Sequence, residues 1–150
     1  MVTFDAVVVG GSVAGAIAAR ELARRGLRVA LVERARFPRP KACGEGLLPR
    51  GVAALREMGL APSGEPVRGL RFVSPSGHAA EADFPSGFGL VVRREKFDAL
   101  LFRAAADTPG VSAFEGTEYD PVRFPARWIV GADGIRSGFH RRAPFTATPA

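Results

Sequence analysis

The sequence predicts an α/β fold built on a mostly parallel sheet, and three observations carry this prediction. An apolar run over residues 4–9 leads into a glycine-rich turn, Gly10–Gly15, and a helical pattern follows that turn. A second apolar run, over residues 27–32, ends on a single carboxylate, Glu33. Two buried strands joined by a helix form a βαβ unit, in which the strands run parallel.

The first helix is predicted from about Val13 to Arg25. Gly26 follows at the position where a helix commonly ends on a left-handed residue, so only a short link is expected before the second strand. This short link favours the right-handed crossover that parallel units nearly always adopt. The helix face expected to meet the sheet holds Ala14, Ile17, Ala18 and Leu22.

The rest of the chain alternates short elements with loops. Residues 60–92 carry glycine, proline and short β-like runs, and are predicted to form a small β-hairpin insertion. Residues 138–150 show no periodicity and are expected to be a disordered tail, which leaves residues 1–137 as one domain. The other predicted elements are a helix over about 49–58 with Val52 and Leu55 inward, a helix over about 94–107, a strand over 111–114 and a last buried strand over 128–130.

The composition excludes several classes of protein. A hydrophobic content of 47% and a charged content of 24% are ordinary for a globular domain. The single cysteine, Cys43, excludes a disulfide framework, and with two scattered histidines the chain is expected to hold no metal site. The longest apolar run, over residues 6–19, is too short to cross a bilayer. Since no secretory signal is visible either, we expect a cytoplasmic protein without a transmembrane segment.

The net charge of +6 raises the question of nucleic-acid binding. The basic residues are scattered, however, and no zinc-finger, RNA-recognition or helix-turn-helix pattern accompanies them. We therefore expect no nucleic-acid partner, and we interpret the basic residues between 34 and 41 as solvated surface or as contacts to an anion.

The turn Gly10–Gly15 has the features of a dinucleotide-binding turn. Gly10 allows a sharp bend after the strand, a small residue at position 12 lets backbone N–H groups approach a pyrophosphate, and Gly15 lets the helix pack close to the strand. Glu33 stands where an acid would accept hydrogen bonds from ribose hydroxyls. Ser12 departs from the usual middle glycine, and a positive φ there would disfavour serine. The pattern predicts a site for an adenine dinucleotide.

The sequence excludes one other interpretation of the same turn and leaves two open. P-loop chemistry is excluded, because it needs Lys and Ser or Thr where this chain has Ala16 and Ile17. A hydrolase nucleophile at Ser12 would need a histidine in a supporting motif, and neither His78 nor His140 lies in one. The second open alternative is a degenerate nucleotide-binding fragment without independent catalysis.

Four segments, in the right order, carry a resemblance to a known family. They are Gly10–Gly15 with Glu33 and Arg34, the loop Lys41–Gly46, the helix start Arg94–Asp98, and Gly131–Ser137 with the letters GADGIRS. Together they resemble the N-terminal part of FAD-dependent monooxygenases of the para-hydroxybenzoate hydroxylase type and of the related geranylgeranyl reductases. The loop, with the letters KACGEG, is similar especially to the reductase branch.

The resemblance implies a Rossmann-like FAD-binding domain in an FAD-dependent oxidoreductase of the monooxygenase or reductase class. It implies FAD as cofactor, NAD(P)H as a candidate electron donor, and a small apolar or aromatic substrate. Arg94 would lie near the flavin or its phosphates, Asp133 would bind the ribityl hydroxyls, and no side chain is assigned to catalysis. The implied cofactor-binding residues are Gly10, Ser12, Val13, Ala14, Gly15, Glu33, Arg34, Arg94 and Asp133.

The chain also departs from the family pattern. His140 stands where the family has an arginine after the GADG segment. Residues 116–127, with two prolines, are too few for the β-meander that the family carries there. Because the sequence also stops soon after Ser137, the resemblance indicates a truncated member of the family.

Overall fold

The computed structural model describes residues 3–135, 137 and 138. The elements in chain order are β1 (Phe4–Val9), α1 (Val13–Arg24), β2 (Val29–Glu33), β3 (Gly46–Leu47), α2 (Pro49–Glu57), β4 (Glu65–Val67), β5 (Gly69–Val73), β6 (Ala79–Asp83), β7 (Gly89–Val91), α3 (Arg94–Ala106), β8 (Val111–Glu115) and β9 (Ala126–Gly131). His140 and all of the predicted tail except Gly138 lie outside the described residues.

The chain divides into two compact units, Met1–Arg39 with Asp98–Ala150, and Pro40–Phe97. The second unit is wider than the insertion expected over residues 60–92. The limits of one domain over residues 1–137 therefore stay a prediction.

The first unit contains a four-stranded parallel sheet in the order β8-β2-β1-β9. In this register Ala6 of β1 lies between Val29 of β2 and Trp128 of β9. Strands β1 and β2 are central, and their apolar side chains are almost fully removed from solvent, as continuous apolar runs predict for buried parallel strands. The predicted α/β class and its parallel βαβ unit are confirmed.

The buried face of α1 differs from the predicted one. The residues that are buried are Gly15, Ala16, Ala19 and Ala23, whereas Ile17 and Leu22 are half-buried and Ala14 is exposed. The prediction was wrong because it placed the buried face around the bulky side chains of Ile17 and Leu22; Ala18, on the same predicted face, is half-buried as well. Here the smallest ones face the sheet, and this lets the helix axis come close to the strands.

The end of α1 was predicted correctly. Gly26 has φ +87°, and its N–H donates to the Ala23 carbonyl at 2.8 Å. The N–H of Leu27 donates to the Leu22 carbonyl at 3.3 Å. These two bonds form a Schellman motif, which ends the helix and turns the chain directly into β2.

Strand β9 exists where the sequence predicts it, but it is not a buried strand. The side chains of Trp128 and Ile129 are 60% and 43% exposed. Within the described residues β9 pairs with β1 alone and forms an edge of the sheet. The apolar residues 128–130 predicted the strand correctly. Burial depends on which elements cover a strand, and a short run of residues does not determine that.

The second unit is antiparallel. Strands β3, β7 and β4 form one sheet in the order β3-β7-β4, and β5 and β6 form a separate hairpin. Helix α2 buries Val52 and Leu55, as predicted. A small β-hairpin region inside an α/β chain is therefore confirmed. Among the residues that the structure describes, no helix is both long and apolar enough to cross a membrane.

Gly15→Ala is expected to destabilise the first unit. A Cβ at this position would lie 1.7 Å from the Gly10 carbonyl oxygen, so α1 would have to move away from β1. We expect the free energy of unfolding to fall by about 2 kcal/mol or more, measured by urea unfolding with circular dichroism.

Gly51→Ala is the matched control. Gly51 lies inside α2, and a Cβ there would meet open space. Alanine should therefore raise stability slightly, by about 0.5–1 kcal/mol, through its better helix propensity. Equal effects of the two substitutions would contradict the close packing described for Gly15.

Candidate cofactor site

The turn after β1 leaves no room for a side chain at Gly10. Its φ is +103°, and a Cβ would lie 2.4 Å from the carbonyl oxygen of Ala132. The Gly10 N–H donates to the Val32 carbonyl at 2.8 Å, and the Ala132 N–H donates to the Val9 carbonyl at 2.7 Å. The ends of β1, β2 and β9 are therefore tied together at the carboxyl edge of the sheet, where parallel α/β folds bind ligands.

Gly11 is a second constrained glycine, and it is not among the site residues predicted from the sequence. A Cβ would come within 2.7 Å of the Phe102 ring and 2.9 Å of the Glu33 Cβ. The Gly11 N–H donates to Glu33 Oε2 at 2.7 Å. The adjacent glycines Gly10 and Gly11 could have indicated a constrained turn. The reason that position 11 must be glycine is its contact with Phe102, which is distant in the chain.

Glu33 is 5% exposed and uses both carboxylate oxygens to hold the surrounding backbone. Besides the bond from Gly11, the Ala35 N–H donates to Oε1 at 2.8 Å. Arg39 Nη2 lies 3.9 Å from Oε2. Arg34, which the resemblance assigns to the cofactor, is exposed beside this carboxylate. Glu33 is thus a fixed acceptor at the edge of the turn, and Arg39 is a neighbour that the sequence did not identify.

Ser12 is accommodated without backbone strain. Its φ of −78° and ψ of −163° are extended, so the position does not require glycine, and the concern about a positive φ is resolved. Although Ser12 is the N-cap residue of α1, its side chain makes no capping hydrogen bond. Its Oγ instead donates to Asp98 Oδ2 at 2.7 Å, in a buried contact.

The N-terminus of α1 fits a phosphate group. The first N–H groups of a helix have no partner within the helix, and here neither a side-chain cap nor an acidic residue in the first turn competes for them. Val13 and Ala14 begin the helix with small apolar side chains. The helix dipole adds positive potential at the same point, so an anion such as a pyrophosphate would be stabilised.

Asp133 lies in the turn that follows β9. It is half-buried, and Gly134 beside it has φ +80°. The Asp133 Cα is 2.8 Å from where a Cβ on Gly10 would lie, so the two turns are packed against each other. The first unit thus brings together Gly10, Glu33 and Asp133, three of the predicted site residues, at one edge of one sheet.

Arg94 belongs to the second unit, where it contacts the loop Lys41–Gly46. Its backbone N–H donates to Glu45 Oε1 at 3.0 Å, and its side chain hydrogen-bonds the thiol of Cys43. The Val92 N–H donates to the Glu45 carbonyl at 2.8 Å. The start of α3 and the loop Lys41–Gly46, which are far apart in the sequence, are therefore in contact.

The Arg94 hydrogen bond lowers the pKa of the exposed Cys43 thiol, and a backbone hydrogen bond at Glu45 lowers it further. Both contacts stabilise the thiolate more than the thiol. Elsewhere, the described residues contain no group of three His, Cys, Asp or Glu side chains placed to hold a metal ion.

Comparison with known proteins decides the family. A family model described as an FAD binding domain matches residues 3–122. The chain belongs to this FAD-binding domain family. FAD is accordingly the cofactor that the family supports, and family members are FAD-dependent oxidoreductases and monooxygenases.

Named relatives of this FAD-binding domain include two reductases and a halogenase. It is 40% identical over 162 residues to a menaquinone reductase of Mycobacterium tuberculosis, covering 92% of this chain and 39% of that protein. It is 32% identical over 167 residues to a geranylgeranyl diphosphate reductase of Rhodobacter capsulatus, covering 97% and 41%. The structure of a myxobacterial chondrochloren halogenase matches with a TM-score of 0.74 and 31% identity, covering 91% and 38%.

These matches confirm the predicted resemblance and the Rossmann-like fold. They also show that the FAD-binding domain described here spans about two fifths of the curated relatives, 39% and 41% of their lengths. The matched part is the N-terminal part of those proteins.

We expect Cys43 to react as thiolate at a lower pH than free cysteine. Because the pKa is lowered, the rate of alkylation by iodoacetamide should reach half its maximum at a lower pH than for a peptide thiol. Arg94→Gln removes the largest cause, so the profile should move to higher pH. Cys43 is the single cysteine, so the labelling measures this site alone.

Arg93→Gln provides the control for charge, since it removes a neighbouring exposed arginine that is paired with Glu95. Its alkylation profile should match that of the unsubstituted chain. An equal shift in both variants would mean that general positive charge, and not the Arg94 hydrogen bond, lowers the pKa.

Proposed function

We propose that this chain binds FAD at the carboxyl edge of its parallel sheet and that it serves an FAD-dependent reductase. The observation that carries the proposal is the hydrogen bond from the Gly11 N–H to Glu33 at 2.7 Å. This bond fixes the phosphate-binding turn and the ribose-binding acid relative to each other. A ligand that carries both a pyrophosphate and an adenosine ribose would need these two groups at a fixed separation.

The backbone of the turn would hold the pyrophosphate. The first N–H groups of α1, from Val13, Ala14 and Gly15, would donate to phosphate oxygens, with Gly10 and Ser12 shaping the approach. Phosphate would thus replace the missing side-chain cap of the helix.

Glu33 would hold the adenosine ribose. Each carboxylate oxygen already accepts one backbone N–H and can accept a second hydrogen bond, so a ribose hydroxyl has an available acceptor. The exposed Arg34 would lie over the adenosine part. Asp133 would accept from the ribityl hydroxyls, since its turn is packed against Gly10. Arg94 remains a proposed cofactor contact on the resemblance alone.

When bound, FAD supplies the redox chemistry, with NAD(P)H as the proposed source of electrons. The residues of this chain would bind and orient the cofactor, and none of them needs to act as a general acid or base for that task. The catalytic contribution of the chain would be positional.

The proposed substrate class is an apolar molecule with an isoprenoid chain. Two relatives are named for the reduction of menaquinone and geranylgeranyl diphosphate, and both cover more than 90% of this chain, 92% and 97%. The loop Lys41–Gly46, which is similar to the reductase branch, favours reduction over hydroxylation. The halogenase match keeps a monooxygenase-like reaction as the second candidate.

FAD binding tests the first part of the proposal. Titration of the chain with FAD in a calorimeter should give saturable binding with one site, and Glu33→Lys should weaken it by about tenfold or more, because a charged acceptor becomes a donor. If the chain binds NADPH but not FAD, the assignment of FAD as its cofactor is overturned. An unchanged FAD affinity in Glu33→Lys would refute the role of this residue.

Glu118→Lys is the matched control, because it makes the same charge change at an exposed position of the first unit. It should leave FAD affinity unchanged. Repeating the titrations with ADP separates the two halves of the cofactor. The loss in Glu33→Lys should be as large for ADP as for FAD, since the lost contact is to adenosine.

The reaction class needs a separate experiment. The FAD-loaded chain, supplied with NADPH under nitrogen, is incubated with menaquinone or geranylgeranyl diphosphate and the products are analysed by mass spectrometry. A gain of two hydrogen atoms supports the reductase. Incorporation of oxygen into an aromatic substrate under air would favour the second candidate. Tight FAD binding with neither product would assign the chain to cofactor binding without independent catalysis.

A further inference from the structure

Asp98 is a fully buried carboxylate on α3 whose role the sequence does not reveal. Its exposure is 0%, and it lies within the first unit. Its Oδ2 accepts the hydrogen bond from Ser12 Oγ at 2.7 Å, between residues that are 86 positions apart in the chain. Burying a carboxylate costs free energy, so such a residue is expected to serve a purpose beyond packing.

The contact changes what Ser12 does for its own helix. Serine at an N-cap normally uses its side-chain oxygen to accept an N–H of the first turn, which stabilises the helix. Ser12 has the extended dihedral angles of an N-cap and yet makes no such bond. Its hydroxyl is directed to Asp98 instead. A serine hydroxyl can donate one hydrogen bond and accept others, so Asp98 does not occupy the acceptor site itself. It holds Oγ in an orientation in which no capping bond from the first turn is made.

We propose that Asp98 is a positioning residue for the phosphate site. By holding the Ser12 hydroxyl, it keeps the first-turn N–H groups of α1 available for the pyrophosphate. The inference rests on the proposed FAD binding. It explains how serine can stand at the middle position of the turn, where its capping tendency would otherwise oppose the ligand.

A double-mutant cycle separates this role from the charge of Asp98. Asp98→Ala removes a negative charge as well as the acceptor, and the first effect alone would favour an anionic ligand. That charge effect is the same whether residue 12 is serine or alanine. The release of a capping hydroxyl occurs only with serine. The difference between the two backgrounds therefore measures positioning alone.

The four proteins are the unsubstituted chain, Ser12→Ala, Asp98→Ala and the double variant, each titrated with FAD, ADP and riboflavin. The factor by which Asp98→Ala weakens FAD and ADP binding should be about tenfold larger in the serine background than in the alanine background, which corresponds to the strength of a capping bond. Riboflavin, which lacks phosphate, should show no such difference. Equal factors in both backgrounds would overturn the proposal, as would an equal response of riboflavin.

Two further variants keep the test decisive. If circular dichroism shows that Asp98→Ala is unfolded, Asp98→Leu fills the same space without an acceptor and should give the same background difference. Asp98→Asn retains an acceptor for the hydroxyl, so its effect should not depend on residue 12.

If the unsubstituted chain binds no FAD, the proposed function fails and this inference fails with it. If that chain binds FAD while the factors are equal, only the role of Asp98 is refuted.

Discussion

The close approach of α1 to β1 is the constraint on which the rest of the site depends. The Gly10 carbonyl oxygen occupies the space that a Cβ on Gly15 would need, and the Ala132 carbonyl occupies that of a Cβ on Gly10. The helix must therefore begin directly above the end of the central strand, with its N-terminus at the carboxyl edge of the sheet. The first N–H groups of α1 therefore lie at this edge as a consequence of backbone packing, and such a helix N-terminus favours an anion.

The same packing explains which parts of the fold the sequence could predict. The apolar runs, the glycine turn, Gly26 and the acid at the end of β2 depend on residues close together in the chain, and their meaning is local. The buried face of α1 is different, because Ile17 and Leu22 look like the core by hydrophobicity alone. In the structure the small residues Gly15 and Ala16 face the sheet instead, because the helix lies too close to the strand for larger side chains. This close approach cannot be seen in the sequence.

The candidate site likewise contains features that the local sequence predicts and features that depend on distant residues. The place of Glu33 at the end of β2 was predictable from its spacing, and its proximity to the turn follows from the parallel register of β1 and β2. The partners of Gly11, Ser12 and Arg94 were not predictable, because Phe102, Asp98 and Cys43 come from distant parts of the sequence. The sequence identified Ser12 as a departure from a pattern, and only the structure shows its extended backbone and the acceptor that holds its hydroxyl.

Two buried carboxylates beside a turn proposed to bind phosphate need an explanation, since like charges repel. Glu33 accepts hydrogen bonds from the N–H groups of Gly11 and Ala35, and the hydroxyl of Ser12 is among the groups that contact Asp98. Donors directed at a carboxylate compensate much of its charge and fix its orientation. Neither donor to Glu33 is an N–H of α1, and the Ser12 donor is a hydroxyl, so these bonds leave the helix N-terminus available to an anion. The acids would thus organise the turn without taking the donors that a phosphate group requires.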